Sequence, residues 1–145
     1  MAITIRSVVP DDAVHTVSLI TELTENEGEG CSLTEAYVLD YLNFPGVEIL
    51  LALEGGRVLG LLSFNRHPNL YHAGDSVLIE ELVVTATARG QGVGGMLVAA
   101  LVERLEGLGC EEVSVTTMTD NHAAIKFYKK HGFEDEALYL ERHFD

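Results

Sequence analysis

The sequence predicts one mixed α/β domain, in which a mostly antiparallel sheet carries about four helices. Three observations support this. The 145 residues are 47% hydrophobic, which suits a single core. Segments of strand and helix pattern follow one another in the order β-α-α-β-β-β-α-β-α-β. A glycine-rich turn at residues 90–95 lies between a predicted strand and a predicted helix.

The first half of the chain predicts a strand, two helices and a hairpin. Residues 2–8 alternate apolar and polar, and Pro10-Asp11-Asp12 then supplies a helix start. Ser32-Leu33-Thr34-Glu35 resembles a capping box for a second helix ending near residues 43–46. Strand-like runs follow at 48–53 and 57–64, joined by Glu54-Gly55-Gly56. A longer loop, 65–75, leads to a strand at 77–84.

The second half predicts the remaining helices and strands. A helix with leucines at helical spacing follows the glycine-rich turn and is closed by Gly109. Residues 112–117 are rich in β-branched side chains and predict a strand. Asp120-Asn121 caps a short helix through Lys130, and a final strand is expected at 137–143.

Charge and composition exclude several classes of protein. The net charge of -14 would repel nucleic acid and anionic membranes. No apolar run approaches the roughly 18 residues of a membrane span, and the first residues have no signal-peptide layout, so we expect a cytoplasmic protein. Neither the six histidines nor Cys31 and Cys110 show metal-ligand spacing, so no metal site is expected.

The glycine-rich turn predicts a phosphate site, because free N–H groups and a helix N-terminus attract anions. A Walker loop is excluded, since Met96-Leu97 follows Gly95 in place of Lys-Ser or Lys-Thr. The pattern Gly90-x-Gly92-x-x-Gly95 matches a dinucleotide fingerprint, but five residues separate it from the strand and only 55 follow Gly90. A turn that serves packing alone is the third alternative.

Two motifs together resemble the GNAT superfamily of N-acetyltransferases. Arg89-Gly90-Gln91-Gly92-Val93-Gly94 resembles the family signature Arg/Gln-x-x-Gly-x-Gly/Ala. Downstream, Asn121-x-x-Ala124-x-x-Phe127-Tyr128-x-Lys130-x-Gly132-Phe133 resembles the second half of the same cofactor site. The resemblance is clear over residues 77–133. It implies an acyl-CoA N-acyltransferase fold, whose sheet has a V-shaped split between strands 77–84 and 112–117.

The resemblance implies acetyl-CoA as the acetyl donor and a small-molecule amine as the acceptor. Residues 2–75 would form the acceptor side and residues 76–145 the acetyl-CoA-binding half of one domain, 1–145. Many relatives are homodimers, which makes a homodimer an expectation. The residues implied for donor binding are Leu82, Val83, Val84, Arg89, Gly90, Gln91, Gly92, Val93, Gly94, Gly95, Asn121, Tyr128 and Lys130.

Acetyl transfer to an amine requires a base, a polarised carbonyl and a proton for the thiolate. The resemblance assigns the base to Glu80 and keeps Glu81 as the alternative. Successive strand residues face opposite sides, so only one of the two is expected at the cleft. Backbone N–H groups at a bulge around 82–84 would polarise the carbonyl. Tyr128 would be the acid. Alternatively, the carboxylates are solvated and the tyrosine serves packing.

The acceptor is expected to be cationic. Ten acidic residues and no Lys or Arg lie between Arg6 and Arg57, which would concentrate positive charge. The same acids suit solubility or a high-salt cytoplasm. An acetyl-CoA sensor without turnover and a peptide or protein N-acetyltransferase are the other functions that the motifs allow.

Overall fold

The computed structural model describes residues 2–144 as five strands and four α-helices around one sheet. The elements are β1 (Ile3–Ser7), α1 (Ala13–Asn26), α2 (Glu35–Tyr41), β2 (Val47–Glu54), β3 (Arg57–Asn69), β4 (Gly74–Val84), α3 (Val93–Glu106), β5 (Glu112–Val115) and α4 (His122–Lys130). Short 3-10 turns, Pro10–Asp12 and Ala86–Ala88, precede α1 and α3. The predicted mixed fold with four helices is confirmed.

The sheet is antiparallel except at one edge. Its strands lie in the order β1-β2-β3-β4-β5, and only the pairing of β4 with β5 is parallel. That pairing covers Ser76–Ile79 of β4, after which β5 ends at Val115 while β4 continues to Val84. The sheet therefore opens beyond Ile79, as the V-shaped split predicts.

Apolar side chains cover both faces of the sheet. On the face that we call the α3–α4 face, Leu62, Ile79 and Leu97 belong to a core that Phe127 and Tyr128 also contact. On the opposite, α1–α2 face, Leu61 and Val83 pack with Leu19 of α1. Burial of these side chains stabilises the fold and fixes which side of β4 each residue faces.

The connection from β1 to α1 is held by Asp12. Its carboxylate accepts two hydrogen bonds from Arg6, at 2.7 and 2.9 Å, and one from the N–H of Val9, at 2.9 Å. The hydrogen bond from Arg6 holds the pKa of Asp12 below its usual value. The predicted helix start at Pro10-Asp11-Asp12 is confirmed, with the α-helix beginning at Ala13.

Several predicted boundaries are wrong. Thr34, rather than Ser32, caps α2 by accepting from the N–H of Tyr37, and α2 ends at Tyr41. Residues 65–69 continue β3 and β4 begins at Gly74, so the predicted loop 65–75 is only a short turn. By contrast, the prediction that Gly109 closes α3 is confirmed: the regular helix ends at Glu106, Gly109 has a φ of +69°, and the N–H of Cys110 donates to the carbonyl of Leu105 at 3.5 Å. Strand β5 ends at Val115 rather than at residue 117. Backbone pairing between β3 and β4 overrides the polar composition of 65–75.

The final strand predicted at 137–143 is also wrong. Residues 133–144 form no helix or strand, and Leu138, Leu140 and Phe144 are each more than 80% exposed. A strand forms only when its N–H and C=O groups find a neighbouring strand. Within residues 2–144, no strand pairs with this segment.

Candidate active site

The glycine-rich turn forms the N-terminus of α3. Gly90 and Gly92 have φ angles of +79° and +80°, which non-glycine residues rarely adopt. Gly92 is the N-cap, and the N–H of Met96 makes the first intrahelical bond, to the Gly92 carbonyl at 3.0 Å. The N–H groups of Val93, Gly94 and Gly95 therefore have no acceptor within the helix. This arrangement suits an anion.

Close packing against α4 explains the next two glycines. A Cβ on Gly94 would lie 3.4 Å from Cζ of Phe127, and a Cβ on Gly95 would lie 3.0 Å from Cε1 of His131. Val93 is 1% exposed and belongs to the core, so only its backbone can reach a ligand. The four glycines thus divide between turn conformation and helix packing.

A cleft of about 470 Å³ opens where β4 runs beyond β5. It is lined by Leu23, Asn26, Leu82, Val83, Val84, Arg89, Gly94, Ala124, Phe127 and Tyr128. Six of these were predicted as donor-binding residues from the sequence. Of the other four, Ala124 and Phe127 belong to the second motif of the predicted cofactor site, and only Leu23 and Asn26 lie outside both motifs. Both predicted halves of the chain thus contribute to one cleft, because α1 faces α4 across the end of β4.

The other residues predicted for donor binding lie outside this lining. Gly90, Gln91 and Gly92 are exposed at the tip of the turn. The side chain of Asn121 caps α4 by accepting from the N–H of Ala124 at 3.1 Å. Lys130 is exposed at the end of α4. These residues can reach only the parts of a ligand that extend out of the cleft.

Tyr128 lies in the wall of the cleft. Its ring packs edge-on against Phe133, with 5.4 Å between centroids. Burial raises the pKa of Tyr128 to about 12. The phenol is therefore protonated throughout the neutral range and can donate a proton there.

Glu80 and Glu81 lie on the same face of the sheet, because β4 has a bulge at this point. Ser63 pairs with Glu81 and Phe64 with Ile79, so Glu80 is an extra residue in β4. Asn65 Nδ2 donates to Glu80 Oε1 at 2.6 Å, and the Ser63 hydroxyl donates to Glu81 Oε1.

Two corrections follow from this bulge. Ser63 and Asn65 are two residues apart on β3 and share the α1–α2 face with Leu61, so both carboxylates lie there. The expectation that the two carboxylates face opposite sides is therefore wrong, and neither of them is among the residues that line the cleft. The bulge itself lies at Glu80, before residues 82–84, whereas the splay expected at 82–84 is present because β5 pairs with β4 only as far as Ile79.

The two carboxylates have different surroundings. Glu80 is exposed, whereas Glu81 is partly buried. Burial raises the pKa of Glu81, the hydrogen bond from Ser63 lowers it, and the charge of Glu80 raises it again, with a net increase. Tyr41 of α2 faces the same pair: burial and the charges of Glu81 and Glu80 raise its pKa to about 12.

Sequence reasoning missed the residues that surround the predicted ones. Ser63 and Asn65 interrupt the apolar positions of β3 at a spacing of two, a signal that could have identified them. Tyr41, Leu23 and Asn26 carry no comparable signal, because nothing local shows that α1 and α2 pack beside β4.

Neither a metal cluster nor a membrane-spanning helix is found in the described part of the chain. Among residues 2–144, no three His, Cys, Asp or Glu side chains lie close enough to hold a metal ion. None of the helices in this range is long and apolar enough to cross a membrane.

Comparisons with known proteins place the chain in a family. The model of the acetyltransferase (GNAT) family matches residues 17–133. An aminoalkylphosphonate N-acetyltransferase of Salmonella typhimurium is 31% identical over 130 residues, covering 90% of this chain and 84% of that protein.

Two solved structures share the fold over nearly the whole chain. A putative acetyltransferase from Agrobacterium tumefaciens has a TM-score of 0.85 at 26% identity, covering 97% of this chain and 99% of that one. A protein described as a transcriptional regulator from Bacillus halodurans has a TM-score of 0.86 at 27% identity, covering 99% and 100%.

The fold, the cleft and these relatives define an acyltransferase. The chain belongs to the acetyltransferase (GNAT) family, whose members generally use acetyl-CoA as the donor.

Proposed function

We propose that this enzyme transfers an acetyl group from acetyl-CoA to the primary amine of a small, cationic acceptor by direct attack. One observation carries the proposal. Strand β4 runs from the paired carboxylates of Glu80 and Glu81 into the cleft lined by Tyr128, beside the phosphate-binding turn. Strand β4 therefore carries the candidate base and runs toward the candidate acid on α4 and the anion site at the start of α3.

The residues of the cleft fit the donor. Acetyl-CoA carries the acetyl group as a thioester. The N–H groups at the start of α3 suit its diphosphate, and the apolar side chains of residues 82–84 suit its pantetheine arm. On the side away from β3, the backbone of residues 80–84 has no partner strand within residues 2–144, so it can pair with the pantetheine amides.

The reaction roles follow from proton chemistry. An alkyl ammonium is only about 0.1% neutral at pH 7, so a carboxylate must take its proton directly or through water. Burial raises the pKa of Glu81, which suits a proton acceptor, so we assign this role to Glu81 and keep Glu80 as the alternative. Tyr128 donates a proton to the departing thiolate. Backbone N–H groups of β4 after the bulge, where β5 no longer pairs with it, polarise the thioester carbonyl.

The pH profile of Ser63→Ala tests the choice of base. The Ser63 hydroxyl lowers the pKa of Glu81, so its loss should move the acidic limb of kcat/KM to higher pH. Asn65→Ala, which removes the bond to Glu80, is the matched control and should leave that limb in place. A limb that moves only in Asn65→Ala would assign the base to Glu80.

The cationic acceptor is supported by the charges around the carboxylates. Glu80 and Glu81 share one face with Tyr41, and the acidic loop Glu25 to Glu29 begins beside Asn26, which lines the cleft. Negative charge on this side raises the local concentration of cations. The relative named for aminoalkylphosphonates supports a second candidate, an acceptor that carries an amine and a phosphonate.

An acceptor screen at two salt concentrations separates these candidates. We expect polyamines or aminoglycosides to give a higher kcat/KM than aminoalkylphosphonates. We also expect KM for the best amine to rise with salt, because the Debye length falls from about 10 Å at 0.1 M to about 3 Å at 1 M. Preference for a phosphonate, or a KM that ignores salt, would contradict the cationic acceptor. Binding of acetyl-CoA with no turnover of any amine or peptide would indicate a sensor.

The homodimer stays a prediction. A second copy would give the exposed apolar side chains of residues 138–144 a surface to bury.

A further inference from the structure

Glu22 of α1 contacts the segment that connects β4 with the glycine-rich turn. Its Oε2 accepts from the Thr85 hydroxyl at 3.0 Å, and its Oε1 accepts from the N–H of Ala86 at 2.8 Å. These are contacts across 63 and 64 residues of sequence. They join a helix of the predicted acceptor side to the start of the predicted donor side.

The same carboxylate lies beside Arg89, the first residue of the family signature. Glu22 Oε1 is 3.8 Å from Nη2 of Arg89, and Arg89 Nε donates to the carbonyl of Val84 at 3.3 Å. The guanidinium is therefore held between α1 and the last residue of β4. A half-exposed ion pair of this length contributes little to stability by itself.

The position of this contact determines the shape of the cleft. Leu23, the next residue of α1, lines the cleft together with Val84 and Arg89. Loss of the contact would free α1 to move relative to the turn. From the other side, Arg57 of β3 donates to the hydroxyl of Thr87, so residues 85–87 are held at both ends.

We propose that Glu22 is a positioning residue for acetyl-CoA binding. It holds residues 85–89 and the Arg89 guanidinium so that the N-terminus of α3 meets the diphosphate. The inference rests on the donor site proposed above, and it assigns to α1 a part in donor affinity that the signature motif does not contain. The hydrogen bonds of Glu22 carry this effect, rather than its charge, because a negative charge alone would repel the donor.

Substitution at Glu22 separates hydrogen bonding from charge. Glutamine can accept from the N–H of Ala86 through its oxygen and donate to Thr85 through its nitrogen, whereas alanine can do neither. We expect Glu22→Ala to raise the Kd of acetyl-CoA by roughly 10- to 30-fold, because residues 85–89 would no longer be held in place beforehand and would have to be ordered when the donor binds. We expect Glu22→Gln to stay within about threefold of the unsubstituted protein.

Calorimetric titration with acetyl-CoA is the experiment. Thr85→Val removes one of the two bonds and keeps the shape of the side chain, so it should raise Kd by roughly fivefold. Glu103→Gln, on the exposed face of α3, is the matched control and should leave Kd unchanged. With the best amine of the screen, Glu22→Ala should raise KM for acetyl-CoA while kcat and KM for the amine stay nearly constant.

The outcomes distinguish this inference from the proposed function. If the unsubstituted protein does not bind acetyl-CoA, the donor site itself is wrong and the role of Glu22 falls with it. If it binds and Glu22→Ala and Thr85→Val bind equally well, only the role of Glu22 is wrong. A Glu22→Gln variant as weak as Glu22→Ala would also overturn it, since charge would then be the cause. Thr85→Val gives a result even if Glu22→Ala does not fold.

Discussion

Replacement of Gly92 by aspartate should abolish measurable binding of acetyl-CoA, with a loss of affinity of at least about 100-fold. Gly92 has a φ of +80°, caps α3, and faces open space where a Cβ would stand. An aspartate there adds backbone strain and places a carboxylate where the diphosphate would approach the N–H groups. Calorimetry on the folded variant measures the loss. Gly94→Asp should have the same effect.

Gly92→Ala is the control that separates the two causes. Alanine brings the strain without the charge, so it should bind more weakly than glycine and more tightly than aspartate. Gly109 also has a positive φ, of +69°, but lies beyond the far end of α3, so Gly109→Asp tests strain away from the cleft and should leave Kd unchanged. Unchanged affinity in a folded Gly92→Asp variant would remove the phosphate site from the proposal.

Tyr128→Phe should lower kcat by about 100-fold and leave the Kd of acetyl-CoA nearly unchanged. The ring keeps its packing against Phe133, and only the proton donor is lost. Because the pKa of Tyr128 is raised to about 12, its protonated form predominates at every pH below that value. The loss in kcat should therefore be constant between about pH 6 and pH 9. Steady-state kinetics over this range provide the measurement.

Tyr139→Phe removes a hydroxyl from the exposed C-terminal segment and should keep full kcat. Should Tyr128→Phe also keep full kcat, water or another group protonates the thiolate and Tyr128 serves packing. A fall in kcat that disappears at high pH would mean that the phenol ionises within the tested range, against the effect of its burial.

The sequence predicted those parts of the fold that depend on local pattern. The glycine-rich turn, the Asn121 cap and the hairpin between β2 and β3 were found because each has its own residue chemistry. The end of the chain was not, because 137–143 has a strand pattern but no strand within residues 2–144 pairs with it. Local propensity cannot supply a partner strand.

The candidate site divides in the same way. Arg89, Gly94 and Tyr128 line one cleft, whereas Gly90, Gln91 and Gly92 of the same signature lie outside it, at the exposed tip of the turn. The contacts of Glu22 were not predictable, because they depend on which element packs beside β4. The spacing of Ser63 and Asn65 could have identified these two residues, but not the carboxylates that they contact. Strict alternation predicted opposite faces for Glu80 and Glu81. The two share a face because one extra residue in β4 changes the side on which every later residue lies.

The bulge in β4 also disfavours an incorrect register between β3 and β4 during folding. Ile79 and Leu82 both contact the α3–α4 core although they are three residues apart. Two residues at that spacing face the same side of a strand only when one residue between them, here Glu80, has no partner on β3. A hairpin that zipped up without the bulge would turn Glu81 toward this apolar core, where its carboxylate would have neither water nor Ser63 as a partner. The carboxylate of Glu81 thus penalises the slipped pairing, and it does so before any substrate is present.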